Sequence, residues 1–412
     1  MAKFSNLFSL PGLVVVDWLA KDISRVWLLA NITLKQDLAF EIGLARVMLA
    51  AKISDTLQRP GLSRRAAHMK RSISVMLTAI IFLAPAGSAF AWGDDGHQTV
   101  GKIASLRIKP HTAEKIAQIL KPGETLANIS TWADTVKDRM GKSDPDPDTN
   151  AFLQDIAHNE KNREWHYDDL PLGCKNYQSC TGFTPDNDIV HVLNVCIRTL
   201  QGHPDPNHPL SERNALKLLV HFLGDIHQPL HVGCGFIDVH GPNGTIVIVR
   251  DPLVIKQKNL PSDRGANQLI IDNDRKNLHS FWDFTLVTSL MTAVGQEITS
   301  DILGTFLKQN LRPKASWNPR GPIDTWAAQW ATDSLYLSRD HTYKSVHIID
   351  KRTIPVLSRG QPVVRDGQPV MQTVYDITRP SNYETLNREL VRQQLAKGGY
   401  RLARLLDAIY SQ

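Results

Sequence analysis

His221-Phe222-Leu223-Gly224-Asp225-Ile226-His227-Gln228-Pro229-Leu230-His231 is the densest chemical signal in the 412-residue chain, and the reading of the fold turns on it. It continues a run, Glu212–Leu223, whose apolar residues recur at three- and four-residue spacing, so the block sits at the end of a helix. On a helix His221 and Asp225 lie one turn apart on the same side, and an imidazole and a carboxylate can reach one ion. Pro229 has no amide hydrogen and ends or kinks the helix, so His231 projects from a displaced backbone towards a neighbouring ion. His227, inside the same block, is assigned a packing or supporting role rather than a ligand role.

A second His-x-x-x-Asp pair stands in His279-Ser280-Phe281-Trp282-Asp283. One such pair alone is more often a surface pair or a hydrogen-bonded core histidine than a metal site; two in one chain favour metal binding. His97, Asp134 in Thr131-Trp132-Ala133-Asp134 and His166 in Trp165-His166-Tyr167-Asp168-Asp169 are further candidates. The tryptophans at 132, 165 and 282 each precede or neighbour a candidate ligand, and core packing that holds the ligand is the simplest account of them.

Outward from these motifs, helical spacing recurs in Thr112–Leu120, Asp188–Leu200, Ile298–Leu311, Trp326–Ser338 and Tyr383–Tyr410, which predicts a mainly α, single helical domain with small β-hairpin excursions. The links Lys142–Asn150, Leu170–Asp188 and Gly202–Pro209 are rich in Pro, Gly, Asn and Asp. Two stretches read as extended: Thr245–Ile255, and Gln361–Val374 with a hairpin turning at Asp366-Gly367 and kept at an edge by Pro362 and Pro369.

The formal net charge of +6 invites a nucleic-acid reading, but the excess is confined to one end. Up to Ala91 there are 11 Lys+Arg against 5 Asp+Glu, leaving 36 against 36 in residues 92–412. Attraction to phosphate must therefore come from local features such as bound ions, not from a global field. Lys70-Arg71, the apolar run Val75–Ala84 and Ala89-Phe90-Ala91 form the three regions of a secretory signal peptide over 69–91. The apolar run is far shorter than the roughly 20 residues of a spanning helix. A secreted or periplasmic protein, cleaved between Ala91 and Trp92 and without a stable membrane anchor, is expected. Residues 1–68 are either a long extension or the product of a start assigned upstream of Met69. Cys174, Cys180, Cys196 and Cys234 all follow the cleavage point, so one or two disulfides are expected among three possible full pairings; Cys174 with Cys180 would close a short loop.

Trp92-Gly93-Asp94-Asp95-Gly96-His97, Trp132-Ala133-Asp134, Trp165-His166-Tyr167, the His221–His231 block, Asn277–Asp283 and Ala396–Ala403 stand in the order and approximate spacing of the fungal and plant trinuclear-zinc, single-strand-specific nucleases. The chain resembles that family over nearly all of 92–412, and the family shares its fold with zinc-dependent phospholipase C. The resemblance implies three zinc ions. Asp134, His166, His221 and Asp225 would hold one, and His231, His279 and Asp283 a second. His97, Asp225 as a bridge, and the free amine and carbonyl of Trp92 would hold the third, so that signal cleavage would create the last site. It further implies Lys137 near the phosphate, Tyr167 stacking on a base, Asp169 on the base edge, and Gly265 and Asn267 closing the pocket. Ala266 stands where the family often has glycine, and the stretch from Phe236 to Asp263 is longer than in the fungal enzymes.

The reaction implied by the resemblance is hydrolysis of single-stranded DNA or RNA to 5′-phosphorylated products by zinc-bound hydroxide, with Asp134 orienting the nucleophile, and a 3′-nucleotidase activity could accompany it. Neighbouring divalent ions take the pKa of bound water from about 15.7 towards about 7 and stabilise charge on both attacking and leaving oxygens. Stacking is worth roughly 1–3 kcal/mol per base and requires an unstacked nucleotide, which favours single strands. The rival readings are a zinc-dependent phospholipase C and a non-catalytic zinc- or phosphate-binding protein. Asp283 argues against the first, because the phospholipase relatives typically carry glutamate there; the occupation of all nine ligand positions argues against the second.

Overall fold

The computed structural model describes residues 92–155, 162–206, 209–271, 276–358 and 361–411. The expected signal peptide over 69–91, its expected cleavage bond and the segment 1–68 lie outside the described residues. None of the described helices is long and apolar enough to cross a membrane.

Helices dominate, as the periodicity predicts. In chain order they are α1 Asp94–Ser105, α2 Pro110–Ile119, α3 Trp132–Lys137, α4 Pro147–Gln154, α5 Ile189–Leu200, α6 Glu212–Asp225, α7 Pro252–Lys258, α8 Leu278–Ser280, α9 Leu286–Val294, α10 Ser300–Asn310, α11 Trp326–Leu337 and α12 Tyr383–Ile409. Helix α6 is the axis of the fold: every residue from Arg213 to Asp225 is buried, as expected of a helix surrounded by other elements. Ser211 caps its start by accepting the Asn214 amide hydrogen, and Asp188 caps α5 by accepting that of His191. Helix α1 packs between α10 and the 27-residue α12. The fit is close enough that a Cβ at Gly399 would lie 2.4 Å from Ile103, and one at Gly304 2.8 Å from Lys102.

One link and one stretch read as extended contain helices instead. Helix α4 begins inside Lys142–Asn150, where Asp146 accepts the Thr149 amide hydrogen and Pro147 takes the first turn. Helix α7 occupies the second half of Thr245–Ile255, leaving only Val247–Val249 extended, with Asp251 as cap and Pro252 behind it. Both are Asp-Pro starts, in which proline fills a position whose amide would have no partner.

The β structure also exceeds hairpins. Leu269–Ile271 (β1), Lys276–Asn277 (β2), His347–Pro355 (β3) and Met371–Thr378 (β4) form a four-stranded sheet in the order β2-β1-β4-β3, with β1 and β4 parallel in the register Tyr375↔Leu269. The expected hairpin is present at the far end of the β3–β4 ribbon. Val364↔Pro369 and Arg365↔Gln368 pair around Asp366 (φ 50°) and Gly367 (φ 76°), the two left-handed positions of a tight hairpin turn. Near the centre of the molecule, Leu170–Pro171 pairs in parallel with Gly233–Cys234, tying the segment after His166 to the segment after His231.

Candidate metal centre

Five histidines and three aspartates, almost wholly buried, converge from α1, α3, α6, α8 and the short helical turns Glu164–His166 and Pro229–His231. Three overlapping groups bring their ligand atoms close enough for a shared ion: His97 with Asp134 and His221; His166 with His221 and Asp225; and His231 with His279 and Asp283, each within 4.8 Å. The last group is the ligand set that the resemblance implies for its second zinc. The other two share His221 and between them contain the side chains implied for the first and third.

Backbone carbonyls fix the orientation of three imidazoles. His221 donates from Nδ1 to the Ser130 carbonyl (2.6 Å), His231 to that of His166 (2.7 Å) and His279 to that of Gly265 (2.6 Å). A carbonyl can only accept, so each Nδ1 carries the proton and each Nε2 turns a lone pair inward. His231 Nε2 and His279 Nε2 then face each other at 3.1 Å, two lone pairs that repel unless a cation lies between them. Asp283 Oδ2, 3.4 Å from His279 Nε2, is buried and has no hydrogen-bond partner. On the other side of the cluster, His97 Nε2 and Asp225 Oδ1 approach to 3.1 Å without hydrogen-bond geometry, and both are buried. His97 stacks on His221 with ring centroids 4.0 Å apart. His166 Nδ1 lies 3.1 Å from both Asp225 Oδ2 and His221 Nε2, and Asp134 Oδ1 lies 3.8 Å from each of these two histidine nitrogens. Orphaned buried donors of imidazole and carboxylate type fit a zinc centre.

The electrostatics divide the cluster. Burial would raise the Asp225 carboxyl, but His221 and His231, with hydrogen bonds from His166, outweigh it and hold the group well below the usual range. Burial wins at Asp283, which is pushed well above that range. Burial, reinforced by His231, takes His279 down to about 3; burial and then Lys137 take His166 to about 4. Neutral imidazoles and a carboxyl that holds its proton only until a cation replaces it are the states that metal binding requires.

Around this centre stand groups that the sequence pattern does not reveal. Gln228 is fully buried; its amide donates to Asp283 Oδ1 (2.7 Å) and its carbonyl accepts from the Leu230 amide (2.6 Å). It thus fixes Asp283 and the turn that delivers His231. Its one sequence signal is its place before Pro229. His227 points away: its Nδ1 donates to the Leu223 carbonyl (2.7 Å), and Arg401 of α12 donates to its Nε2 (3.2 Å). Gln394 also binds the His227 carbonyl (2.8 Å), so α12 clamps the block from behind, in keeping with the supporting role assigned to His227. Trp92 is buried, and the next amide, Gly93, donates to the Asp283 carbonyl (3.0 Å), which brings the start of the described chain beside the ligands.

Tyr167 is 39% exposed, Lys137 sits beside Asp134, and Asp169 accepts a hydrogen bond from Ser262 (2.9 Å). Gly265 and Asn267 belong to one turn, where Asn267 donates from Nδ2 to the Arg264 carbonyl (2.9 Å). The long stretch from Phe236 to Asp263 folds as the antiparallel pair Phe236–Asp238/Val247–Val249 followed by α7, and it ends against Asp169 through Ser262. Cys174 and Cys180 form a disulfide, while Cys196 and Cys234 are buried thiols. A hollow of about 570 Å³ at the far end of α1, lined by Arg107, Lys308, Trp326 and Arg404 among others, contains none of the clustered ligands.

Residues 92–411 match the sequence model of the S1/P1 nuclease family. The chain is 25% identical over 341 residues to Nuclease S1 of Aspergillus oryzae, covering 80% of this chain and 96% of that protein. It is 23% identical over 350 residues to Endonuclease 2 of Arabidopsis thaliana (82% and 97% covered) and 26% identical over 328 residues to Nuclease P1 of Penicillium citrinum (77% and 98% covered).

Proposed function

From the fact that this chain belongs to the S1/P1 nuclease family, we propose that it is a zinc-dependent nuclease that binds three ions, cleaves single-stranded nucleic acid to 5′-phosphorylated products, removes the phosphate of 3′-nucleotides, and matures by signal cleavage before Trp92. The observation that carries the metal requirement is the 3.1 Å approach of two inward nitrogen lone pairs, on His231 and His279, beside the unpartnered Asp283 Oδ2.

The ligands are proposed as follows: Asp134, His166, His221 and Asp225 for one ion; His231, His279 and Asp283 for the second; His97, Asp225 and the Trp92 amine and carbonyl for the third. Bound ions of this kind would lower the pKa of water and stabilise charge on the attacking and leaving oxygens of the phosphodiester. The chain's own groups do the rest. Asp134, held on one oxygen by Lys137, offers its other oxygen to a water proton and so orients the attacking lone pair. The Lys137 ammonium, at the cleft end of α3, pairs with a non-bridging phosphate oxygen. Tyr167 gives an exposed ring for one unstacked base, and Asp169, steadied by Ser262, accepts an N–H from that base's edge. A duplex keeps its bases stacked and paired and cannot make these two contacts.

The test is N-terminal sequencing and metal analysis of the exported protein, with assays on single-stranded DNA, duplex DNA and phosphatidylcholine. A Trp92 start, close to three zinc ions per chain and 5′-nucleotides from single strands alone are expected. Turnover of phosphatidylcholine without nuclease activity would replace this reading with the lipase one.

A further inference from the structure

Arg264, Gly265 and Ala266 are three consecutive residues in the left-handed region, with φ of 59°, 59° and 63°. Glycine adopts this conformation without cost, whereas arginine and alanine do so only where the surroundings hold them there. Glycine is also required by space at the middle position, since a Cβ on Gly265 would lie 2.4 Å from the Leu230 carbonyl oxygen. The turn aims the Gly265 carbonyl at His279 Nδ1, which donates to it at 2.6 Å.

What holds the turn is a carboxylate beneath it. Asp263 is fully buried, and its Oδ1 accepts from the Ala266 amide (2.8 Å) and the Gly235 amide (3.3 Å). Tyr343, itself buried and 80 residues away in sequence, places its hydroxyl 3.0 and 2.9 Å from the two carboxylate oxygens. The Asp263 backbone closes the ring: its N–H donates to the Gly235 carbonyl (2.8 Å), and its carbonyl accepts from Gln268 (3.1 Å). Gly235 leaves room for this, because a Cβ there would lie 2.5 Å from Asp263 Oδ2.

We propose that Asp263, fastened by Tyr343, is a positioning residue for His279: it holds the left-handed turn whose Gly265 carbonyl takes the Nδ1 proton, and so keeps Nε2 aimed at the ion shared with His231 and Asp283. This rests on the reading of His279 as a metal ligand. The turn also carries Asn267, so the same carboxylate fixes one wall of the proposed base pocket. Asp263 itself touches neither ion nor substrate.

The experiment is zinc release from the zinc-loaded, processed protein under graded chelator, read as ions retained per chain, with thermal melts to confirm folding. Groups that orient a metal-bound histidine typically set about 10–100-fold in metal affinity. Asp263→Ala is expected to weaken one ion by about that factor and leave the others in place; Tyr343→Phe, which removes only a hydroxyl, is expected to weaken the same ion less. Asp263→Asn keeps an acceptor for the Ala266 amide and is expected to restore most of the affinity. A folded Asp263→Ala, or a folded Tyr343→Phe should Asp263→Ala not fold, that retains every ion as tightly as the parent overturns the proposal. So does an Asn variant as weak as the Ala variant. His279→Ala separates the two levels of argument: if it too retains every ion, the ligand reading itself has failed, whereas if it loses one ion and Asp263→Ala loses none, only the positioning role has failed.

Discussion

Two His-x-x-x-Asp pairs of identical spacing meet in this centre, yet they are built differently. His221 and Asp225 occupy the final turn of a long, buried α-helix, with His221 Nε2 3.2 Å from Asp225 Oδ2. His279 lies in the opening turn of α8, capped by Asn277, and Asp283 lies in the π-helical turn Phe281–Thr285 after it, with the corresponding atoms 3.4 Å apart. A π-turn rotates the later residue relative to an α-helix, and such turns gather at functional sites. The surroundings differ more than the backbone. Asp225 is ringed by His97, His166 and His221, while Asp283 has the Gln228 amide. Spacing alone therefore identifies two pairs but not their inequality: one carboxylate is the hub of the cluster, and the other stands at its edge, held by a neutral amide.

The largest expected effect breaks the hub. Asp225→Asn should abolish cleavage of single-stranded DNA, a loss of at least about 10²–10³-fold on the scale of removing one key electrostatic group, and should release ions from both the His97 and His221 sides. Asp283→Asn should cost one ion. Metal content per chain checks this directly, and equal losses in the two variants would erase the distinction between hub and terminal ligand.

The next effect tests the amide. Gln228→Leu leaves Asp283 Oδ1 without its donor and should weaken that ion by about 10–100-fold while sparing those bound through Asp225. Isothermal titration of zinc into the metal-free protein measures it; uniform weakening of all ions would instead mark Gln228 as a general packing residue.

Gln228 also shows where sequence reading stops. The helices with strong three-and-four periodicity, α5, α6, α10, α11 and α12, stand where the apolar spacing puts them, because that signal is local and repeats over several turns. The paired ligand positions are legible for the same reason, two residues one turn apart on a helix. The sheet is not, since β1 is three residues long and its partner β4 lies more than 100 residues later. Gln228, Asp263 and Tyr343 act across 55 and 80 residues of sequence, and no local pattern encodes those meetings. The two Asp-Pro helix starts are legible but outweighed by their surroundings, a polar link at Asp146-Pro147 and a β-branched, apolar run before Asp251-Pro252.

The histidines of the two pairs should also respond to pH with opposite sign in the metal-free protein. His279 and His166 are lowered in the fold, to about 3 and about 4, so the unfolded chain, with ordinary histidines, binds the extra protons first. Stability is therefore lost as pH falls from about 6.5 towards those values. His221 is raised: burial opposes its charge, but Asp225 and Asp134 outweigh burial. Its contribution is fully present below about 6.5 and is lost as pH rises through its raised value. Thermal melts across pH should show both limbs, with His279→Gln flattening the acid limb and His221→Gln the alkaline one. Saturating zinc should suppress the acid limb until the ligands protonate and release it.

The smallest effect lies outside both pairs and serves as their control. Cys174 and Cys180 are six residues apart, and a loop this short gives a cross-link of only about 2 kcal/mol in the chain-entropy picture. The remaining cysteines, Cys196 and Cys234, are free thiols with no bond to reduce, so reduction acts on the one disulfide, which is itself buried and calls for a strong reductant. The loop is pinned by other bonds as well. The Gly173 amide donates to the Arg250 carbonyl (2.9 Å), and the Tyr177 hydroxyl donates to Asp188 (2.6 Å), the residue that caps α5. Lys256 of α7 reaches the Thr181 carbonyl (2.5 Å) just beyond the loop. Reduction should therefore shift the urea midpoint modestly while leaving zinc content and single-strand cleavage unchanged. If reduction releases zinc instead, the order of the α5 side of the cleft, and not the local ring of ligands, is what sets the difference between the two pairs.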